Sequence, residues 1–162
     1  RTLSGNLVVN DDFTVGGTNQ ITFTGTADLA GCTRTITTSN TADTILTGVI
    51  SNGGLIKCGA GRMEITGNNT YAQGFTLNSG TVALASNTAI GTCTMTINGG
   101  TIEAICGARI LNEVVEVNGN FTVAGCCDIE FNQFIDMNCK SISVQIYNNS
   151  TTIFLNCIKN TP

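Results

Sequence analysis

The chain has 162 residues, of which only 11% are charged, with a formal net charge of −4 and no histidine. A typical globular protein has about 25% charged residues. Without histidine, Ser-His-Asp and Cys-His catalytic sites and imidazole metal ligands are excluded, and seven Lys and Arg residues provide no basic surface for nucleic acid. No apolar run approaches the roughly 18 residues of a membrane span.

Short segments that alternate apolar and polar residues follow one another along the chain, which predicts many short β-strands. In chain order these segments are 7–9, 13–15, 21–23, 34–37, 44–46, 55–57, 63–66, 75–77, 81–84, 94–97 and 101–104. Turn signals such as Asn52-Gly53-Gly54 and Asn98-Gly99-Gly100 lie between them. Thr, Asn and Gly are abundant and favour strands and turns over helices, and stacked Asn side chains can hydrogen-bond to one another.

The sequence matches itself without a gap when it is shifted by 108 residues. Arg1 falls on Arg109, Phe13 on Phe121 and Ile45 on Ile153. Internal repeats of strand-turn units are typical of a solenoid, whereas the Asn-Gly turns alone would also suit an antiparallel sandwich of hairpins. We therefore expect a single β-solenoid segment over 1–162, with a first repeat unit at 1–108 and half of a second at 109–162. At about 20 residues per coil, the repeat is roughly five coils and the chain about seven or eight.

The stretch from Gly53 to Gly80 resembles the autotransporter-associated β-strand repeat, also called the passenger-associated transport repeat. That family's pattern is G-x-L-x-K-x-G-x-G-x-L-x-L-x-G-x-N-T-Y-x-G, followed by an alternating strand and G-T-L. The residues on those positions are Leu55, Lys57, Gly59, Gly61, Ile65, Gly67, Asn69, Thr70, Tyr71, Gly74, Gly80 and Thr81. The resemblance covers most of residues 1–131.

This resemblance implies an all-β, right-handed parallel β-helix in a secreted or surface-exposed bacterial protein, with no catalytic residues to transfer. We expect Leu55, Met63, Ile65 and Leu77 to point inward and to stack on like residues of adjacent coils. Asn69, Thr70 and Tyr71 are expected to form a corner, with the tyrosine ring packed and its hydroxyl in water.

Eight cysteines set the chain apart from this family, whose members are usually poor in cysteine. They are Cys32, Cys58, Cys93, Cys106, Cys126, Cys127, Cys139 and Cys157. A metal site, buried free thiols and disulfides are the three interpretations; no C-x₂-C spacing supports the first, and the even count in an extracellular setting favours the last. Pairs about one coil apart are candidates, namely Cys32–Cys58, Cys106 with Cys126 or Cys127, and Cys139–Cys157, which leaves Cys93 for a neighbouring chain.

The expected function is structural and non-enzymatic. The sequence shows no cap at either end, so we expect self-association by end-to-end stacking, or a place within a longer chain. The first hypothesis is the repeating unit of a disulfide-stabilised fibre or stalk, extracellular or on the bacterial cell surface. The alternative is an autotransporter passenger segment acting as an adhesin or binding module for host surfaces or glycans.

Scattered acidic residues give little support to catalysis or to a metal site, and no cofactor is expected. Asp11 and Asp12 are interpreted as a turn pair, and Glu113 and Glu116 near Arg109 as a solvated edge. Tyr71 and Tyr147 are expected to be structural.

Overall fold

The computed structural model describes residues 1–156 and 158–159, and this part of the chain contains twenty β-strands and no helix. In chain order the strands are β1 (Thr2–Leu3), β2 (Leu7–Val8), β3 (Phe13–Val15), β4 (Ile21–Phe23), β5 (Ala27–Thr38), β6 (Thr44–Leu46), β7 (Ile50–Cys58), β8 (Arg62–Ile65), β9 (Phe75–Leu77), β10 (Thr81–Leu84), β11 (Met95–Ile97), β12 (Thr101–Ala104), β13 (Arg109–Leu111), β14 (Val115–Val117), β15 (Phe121–Gly125), β16 (Ile129–Phe131), β17 (Ile135–Asp136), β18 (Val144–Ile146), β19 (Thr152–Phe154) and β20 (Ile158–Lys159). Within these described residues, no helix has the length and apolar character needed to cross a membrane.

The strands form three sheets in which the pairing is parallel. The first sheet has the order β1-β4-β6-β8-β10-β12-β15-β18. The second has the order β2-β5-β7-β9-β11-β14-β17-β20, with β3 also paired to β5, and the third is β13-β16-β19. Each strand of the first sheet belongs to a successive coil, so the chain winds as a parallel β-helix of eight coils, which confirms the predicted fold and coil number.

Each coil has three sides, which the chain visits in the same order. The first side is the first sheet, and the third side carries β3, the ends of β5 and β7, and β9, β11, β14, β17 and β20. Between them lies the second side, which is strand in coils one to three and six to eight and irregular at 66–74 and 85–94. The irregular stretches keep the coil-to-coil hydrogen bonds, since Thr70 N donates to Ile50 O at 3.0 Å and Thr92 N to Tyr71 O at 3.1 Å.

The core is a set of apolar columns inside the coils. One column on the third side runs through Leu55, Phe75, Met95, Val115 and Ile135, which directly face one another in the strand register. All five are buried, and neighbours in the column are separated by the strand spacing of about 4.8 Å. The predicted inward residues listed above, Leu55, Met63, Ile65 and Leu77, are all buried, so this expectation is confirmed.

The 108-residue repeat spans roughly five coils, as expected, but not a whole number of them. Strand β1 lies on the first side of coil one, whereas β13, which contains Arg109, lies on the second side of coil six. In the same way β4 and β6 of the first sheet recur 108 residues later as β16 and β19 of the third sheet. The repeat is therefore five coils plus one side.

Local backbone geometry also recurs at this shift. The left-handed pair Ala30 and Gly31 (φ 55° and 72°) returns as Asn138 and Cys139 (φ 47° and 58°). Three hydrogen bonds have equivalents in the second copy: Ala30 N to Asp28 Oδ1 and Asn138 N to Asp136 Oδ1, Thr35 N to Asp12 Oδ1 and Ser143 N to Asn120 Oδ1, Thr44 Oγ1 to Asn40 Oδ1 and Thr152 Oγ1 to Asn148 Oδ1. The two copies thus share a bulge and its supporting bonds, although they lie on different sides of the helix.

Candidate functional site

The motif lysine lies inside the solenoid. Lys57 is fully buried, and its Nζ donates to the carbonyl oxygens of Cys58 at 2.9 Å, Gly59 at 2.8 Å and Ser79 at 3.1 Å. Burial lowers the pKa of Lys57 to about 8, because a charged ammonium is disfavoured away from water. The lysine therefore ties together the turn after β7 and the equivalent turn of the next coil, which is a structural role.

The glycines of the same turn allow the coils to approach closely. Gly59 has a φ of 80°, and a Cβ there would lie 2.3 Å from Thr38 O. At Gly61 the φ is ordinary, but a Cβ would lie 2.8 Å from Asn40 O. The motif therefore has glycine at these two positions because neighbouring coils approach so closely at this corner that a side chain does not fit.

The corner at residues 69–71 is more deeply buried than the sequence suggested. Asn69 accepts from Ile50 N at 2.7 Å and donates to Ala89 O at 2.6 Å, which joins three coils. The predicted wet hydroxyl of Tyr71 is wrong, since the side chain is fully buried and its hydroxyl donates to Ala89 O at 3.4 Å. Burial raises the pKa of Tyr71 well above its usual range. Tyr147, in contrast, is 67% exposed, so most of its side chain lies in water.

Asparagine side chains stack along one corner, as the composition suggested. Asn98 Nδ2 donates to Asn78 Oδ1 at 2.7 Å, and Asn118 donates to Asn98 and Asn138 to Asn118, each at 3.1 Å. At the start of this ladder Asn78 donates to Cys58 Sγ at 3.2 Å. The ladder satisfies polar groups without charges, which accounts for part of the low charge content.

One charged cluster on the first side was missed from the sequence. Arg62 pairs with Glu103 at 2.8 Å, with Asp43 at 3.0 Å and with Glu64 at 3.2 Å. The sequence spacing could have indicated this cluster, because Asp43 precedes Arg62 by about one coil and Glu103 follows Arg62 by about two coils. The guanidinium engages all three carboxylates, so the cluster acts as a clamp across coils.

A polar groove of about 620 Å³ opens at the corner between the second and third sides of coils four to six. It is lined by residues that include Gln73, Thr92, Cys93, Asn112 and Glu113. Glu113 Oε2 is buried without a hydrogen-bond partner, and burial raises the pKa of Glu113. The interpretation of Glu113 as part of a solvated edge with Arg109 is therefore wrong. Arg109 instead donates to carbonyl oxygens, including Ala85 O at 2.8 Å.

No two cysteines in the described part of the chain are joined by a disulfide. The proposed Cys32–Cys58 pair is wrong, because the register places Cys32 opposite Gly53 and Cys58 opposite Thr37. Five residues of strand, about 16 Å, separate the two positions. The Cys139–Cys157 pair lies partly outside the described residues.

Four of the other cysteines lie in two different environments. Cys93 is half-buried in the groove, where burial raises its thiol pKa and its Sγ contacts Ile90 O at 3.3 Å. Cys106, Cys126 and Cys127 lie together at the corners after β12 and β15, and Cys126 Sγ is 3.4 Å from Cys127 Sγ. Over residues 1–156 and 158–159, no group of three or more His, Cys, Asp and Glu side chains is arranged to hold a metal ion.

The open end of the first coil exposes apolar side chains. A groove of about 590 Å³ there is lined by Leu7, Val8, Val9, Phe13 and other residues of the first two coils. Six of the eight large apolar residues that are exposed in the described chain lie in the first or the last coil. The six are Leu3, Val8, Ile146, Tyr147, Leu155 and Ile158.

The second repeat shows how equivalent residues pack when another coil covers them. Leu3 is 47% exposed, whereas Leu111, its equivalent 108 residues later, is fully buried. Phe13 and Ile21 are half-buried, and their equivalents Phe121 and Ile129 are buried. The first coil and the start of the second thus expose residues whose equivalents in the second repeat are buried.

Comparisons with protein-family models, with curated proteins and with solved structures found no match to the chain.

Proposed function

We propose that this chain is a non-enzymatic structural protein, a β-solenoid unit that stacks end to end with further copies into an extracellular fibre or stalk on a bacterial surface. The observation that carries the proposal is the difference between Leu3 and Leu111, since the same repeat position is exposed in the first coil and buried under a preceding coil in the second repeat. Covering the first coil would remove that apolar surface from water.

The two ends of the solenoid match each other in the order of their strands. Strands β1, β2 and β3 occupy the first, second and third sides of coil one, and β18, β19 and β20 occupy the same sides of coil eight. In a head-to-tail contact, each terminal strand of one copy therefore lies next to the strand of the same side in the following copy, and the parallel pairing continues across the contact. Such a contact leaves one end open after each addition, so it builds a filament rather than a closed ring.

The ends also carry opposite charges in one column of the third side. From Asp12 the register runs through Thr35, Ile56, Thr76, Thr96, Glu116 and Asp136 to Lys159. Continuing this register across a head-to-tail contact puts Lys159 of one copy next to Asp12 of the following copy. Opposite charges at that position favour this register over others.

Charge reversal tests the contact. We expect wild-type chain under reducing conditions to form filaments in electron micrographs and concentration-dependent species in sedimentation velocity. Asp12→Lys and Lys159→Asp each weaken assembly at least tenfold, and the double variant restores it. Glu116→Lys is the matched control, since it makes the same charge change at an exposed position of the same column, in coil six and away from both ends. A wild-type chain that stays monomeric at every concentration refutes the proposal.

The groove beside Cys93 supports a second candidate function, that of a binding module. Glu113 Oε2 is a buried acceptor without a partner, and Gln73, Thr92 and Asn112 place amide and hydroxyl groups around it. A hydroxyl-rich ligand such as a glycan supplies the donor that this oxygen lacks. A glycan array tests this candidate. Binding by the wild-type chain that is lost in Glu113→Ala supports the function, and a wild-type chain that binds no glycan on the array contradicts it.

A further inference from the structure

Three thiols lie together at the corner that follows the first side in coils six and seven. Cys106 follows β12, and the vicinal pair Cys126 and Cys127 follows β15, one coil further along. β12 and β15 are paired up to Ala104 and Gly125. The register therefore brings the three cysteines to the same corner, and Gly107 N, next to Cys106, donates to Cys127 Sγ at 3.3 Å.

The surroundings favour reaction at this corner. Cys106 and Cys126 are exposed and Cys127 is half-buried. The Arg109 guanidinium donates to the carbonyl oxygens of Gly107 at 3.2 Å and Cys106 at 3.4 Å, so it fixes the backbone of the turn that carries Cys106. Accessible thiols react more readily than thiols buried in apolar surroundings.

We propose that Cys106, Cys126 and Cys127 form a thiol–disulfide exchange site, which low-molecular-weight disulfides oxidise to a bridge between Cys106 and one cysteine of the vicinal pair. This inference is independent of the stacking proposed above. We assign the first attack to Cys127, because Gly107 N, next to Cys106, donates to Cys127 Sγ at 3.3 Å and so holds this sulfur beside the Cys106 turn. The side-chain contact with Cys127 raises the pKa of the Cys126 thiol.

The exchange proceeds in two balanced steps. The Cys127 thiolate attacks one sulfur of the small disulfide, which breaks its S–S bond, forms a mixed disulfide on the protein and releases one small thiol. The Cys106 thiolate then attacks Cys127 Sγ in the mixed disulfide and releases the second small thiol. Two protein thiols are oxidised, one small disulfide is reduced to two thiols, and Cys126 stays reduced 3.4 Å away, in position to exchange with the new bridge.

Geometry favours the bridge between coils over a bridge within the vicinal pair. Cα atoms of consecutive residues are about 3.8 Å apart across a trans peptide, which is shorter than the usual 4.4–6.8 Å range for disulfides. Residues stacked in neighbouring coils are about 4.8 Å apart, which lies within that range.

Peptide mapping of the full chain tests this site. The protein is treated with oxidised glutathione, quenched with acid, alkylated and analysed by tandem mass spectrometry without reduction. We expect Cys106 linked to Cys126 or Cys127, one alkylated thiol left in the cluster, and Cys32, an exposed cysteine outside it, alkylated or glutathionylated. In Cys127→Ser, release of the second glutathione slows at least tenfold, whereas Cys32→Ser matches the wild type.

The mapping of the wild-type chain decides the question even if a variant does not fold. A disulfide confined to Cys126 and Cys127, or three separately modified cysteines, overturns the proposal.

Discussion

Lys57 makes the stability of the solenoid depend on pH above neutrality. In the folded chain burial lowers its pKa to about 8, whereas an unfolded lysine has a pKa of about 10.4. The unfolded chain therefore binds more protons between these values, and the stability of the folded state rises with pH across this window. From pH 7 to pH 9 the Lys57 contribution increases by about 1 kcal/mol, and the full shift corresponds to about 3 kcal/mol.

The assay is urea unfolding followed by circular dichroism at pH 7 and pH 9, for the wild type and Lys57→Met. Methionine is similar in length but donates no hydrogen bond. At pH 9 the mostly neutral amine of Lys57 has two N–H groups for the three carbonyl oxygens, so the variant loses two hydrogen bonds and is about 2–4 kcal/mol less stable. The stability gap between wild type and variant should widen by about 1 kcal/mol from pH 7 to pH 9. Comparing the two proteins removes the contributions of Tyr71 and Cys93, which titrate in both.

Lys140→Met is the control, because this lysine is exposed and donates to Asn118 O at 3.2 Å. Its stability gap should not change with pH. A gap for Lys57→Met that stays constant or narrows refutes the reasoning, and it would mean that the three carbonyls stabilise the ammonium as well as water does.

Three further substitutions test the packing of the coils by the same unfolding assay. Asn98→Ala interrupts the asparagine ladder and should cost about 1–2 kcal/mol; a neutral result would show that water replaces the ladder. Gly59→Ala places a Cβ 2.3 Å from a backbone oxygen at positive φ and should cost more than about 2 kcal/mol, whereas Gly5→Ala, with nothing within 4 Å, should cost less than about 1 kcal/mol. Arg62→Met leaves three carboxylates facing one another, so it should destabilise the chain by about 1–2 kcal/mol in low salt and less in 1 M NaCl; an effect independent of salt would contradict the clamp.

The sequence was sufficient for the fold because period-two strands and the 108-residue repeat both point to stacked coils. It also placed Leu55 and Leu77 inside correctly, since alternation determines which side chains face the core. The phase of the repeat was not predictable in this way. At about 20 residues per coil, 108 residues make a little more than five coils, and coils of unequal length, such as the 23 residues from Ile21 to Thr44 in the strand register, hide whether the remainder is a whole side.

Side-chain contacts were harder to predict than strands. Cys32 and Cys58 are about one coil apart in sequence, but the strand register pairs Cys32 with Gly53, and the bulge at Ala30 and Gly31 accounts for two of the five residues that separate them. The burial of Glu113 depends on a groove formed by three coils, for which local sequence gives no signal. Whether the chain belongs to the family that its Gly53–Gly80 stretch resembles stays a prediction.

The extra side in each repeat determines how a partner would meet the molecule. Equivalent positions such as Asp28 and Asp136 lie about 26 Å apart along the axis, from five and a third coils at about 4.8 Å, and about a third of a turn apart around it. A flat surface laid along one side therefore meets only one of the two. A bivalent partner must wrap around an edge to hold both, so its linker length, rather than the affinity of either arm, would set the avidity.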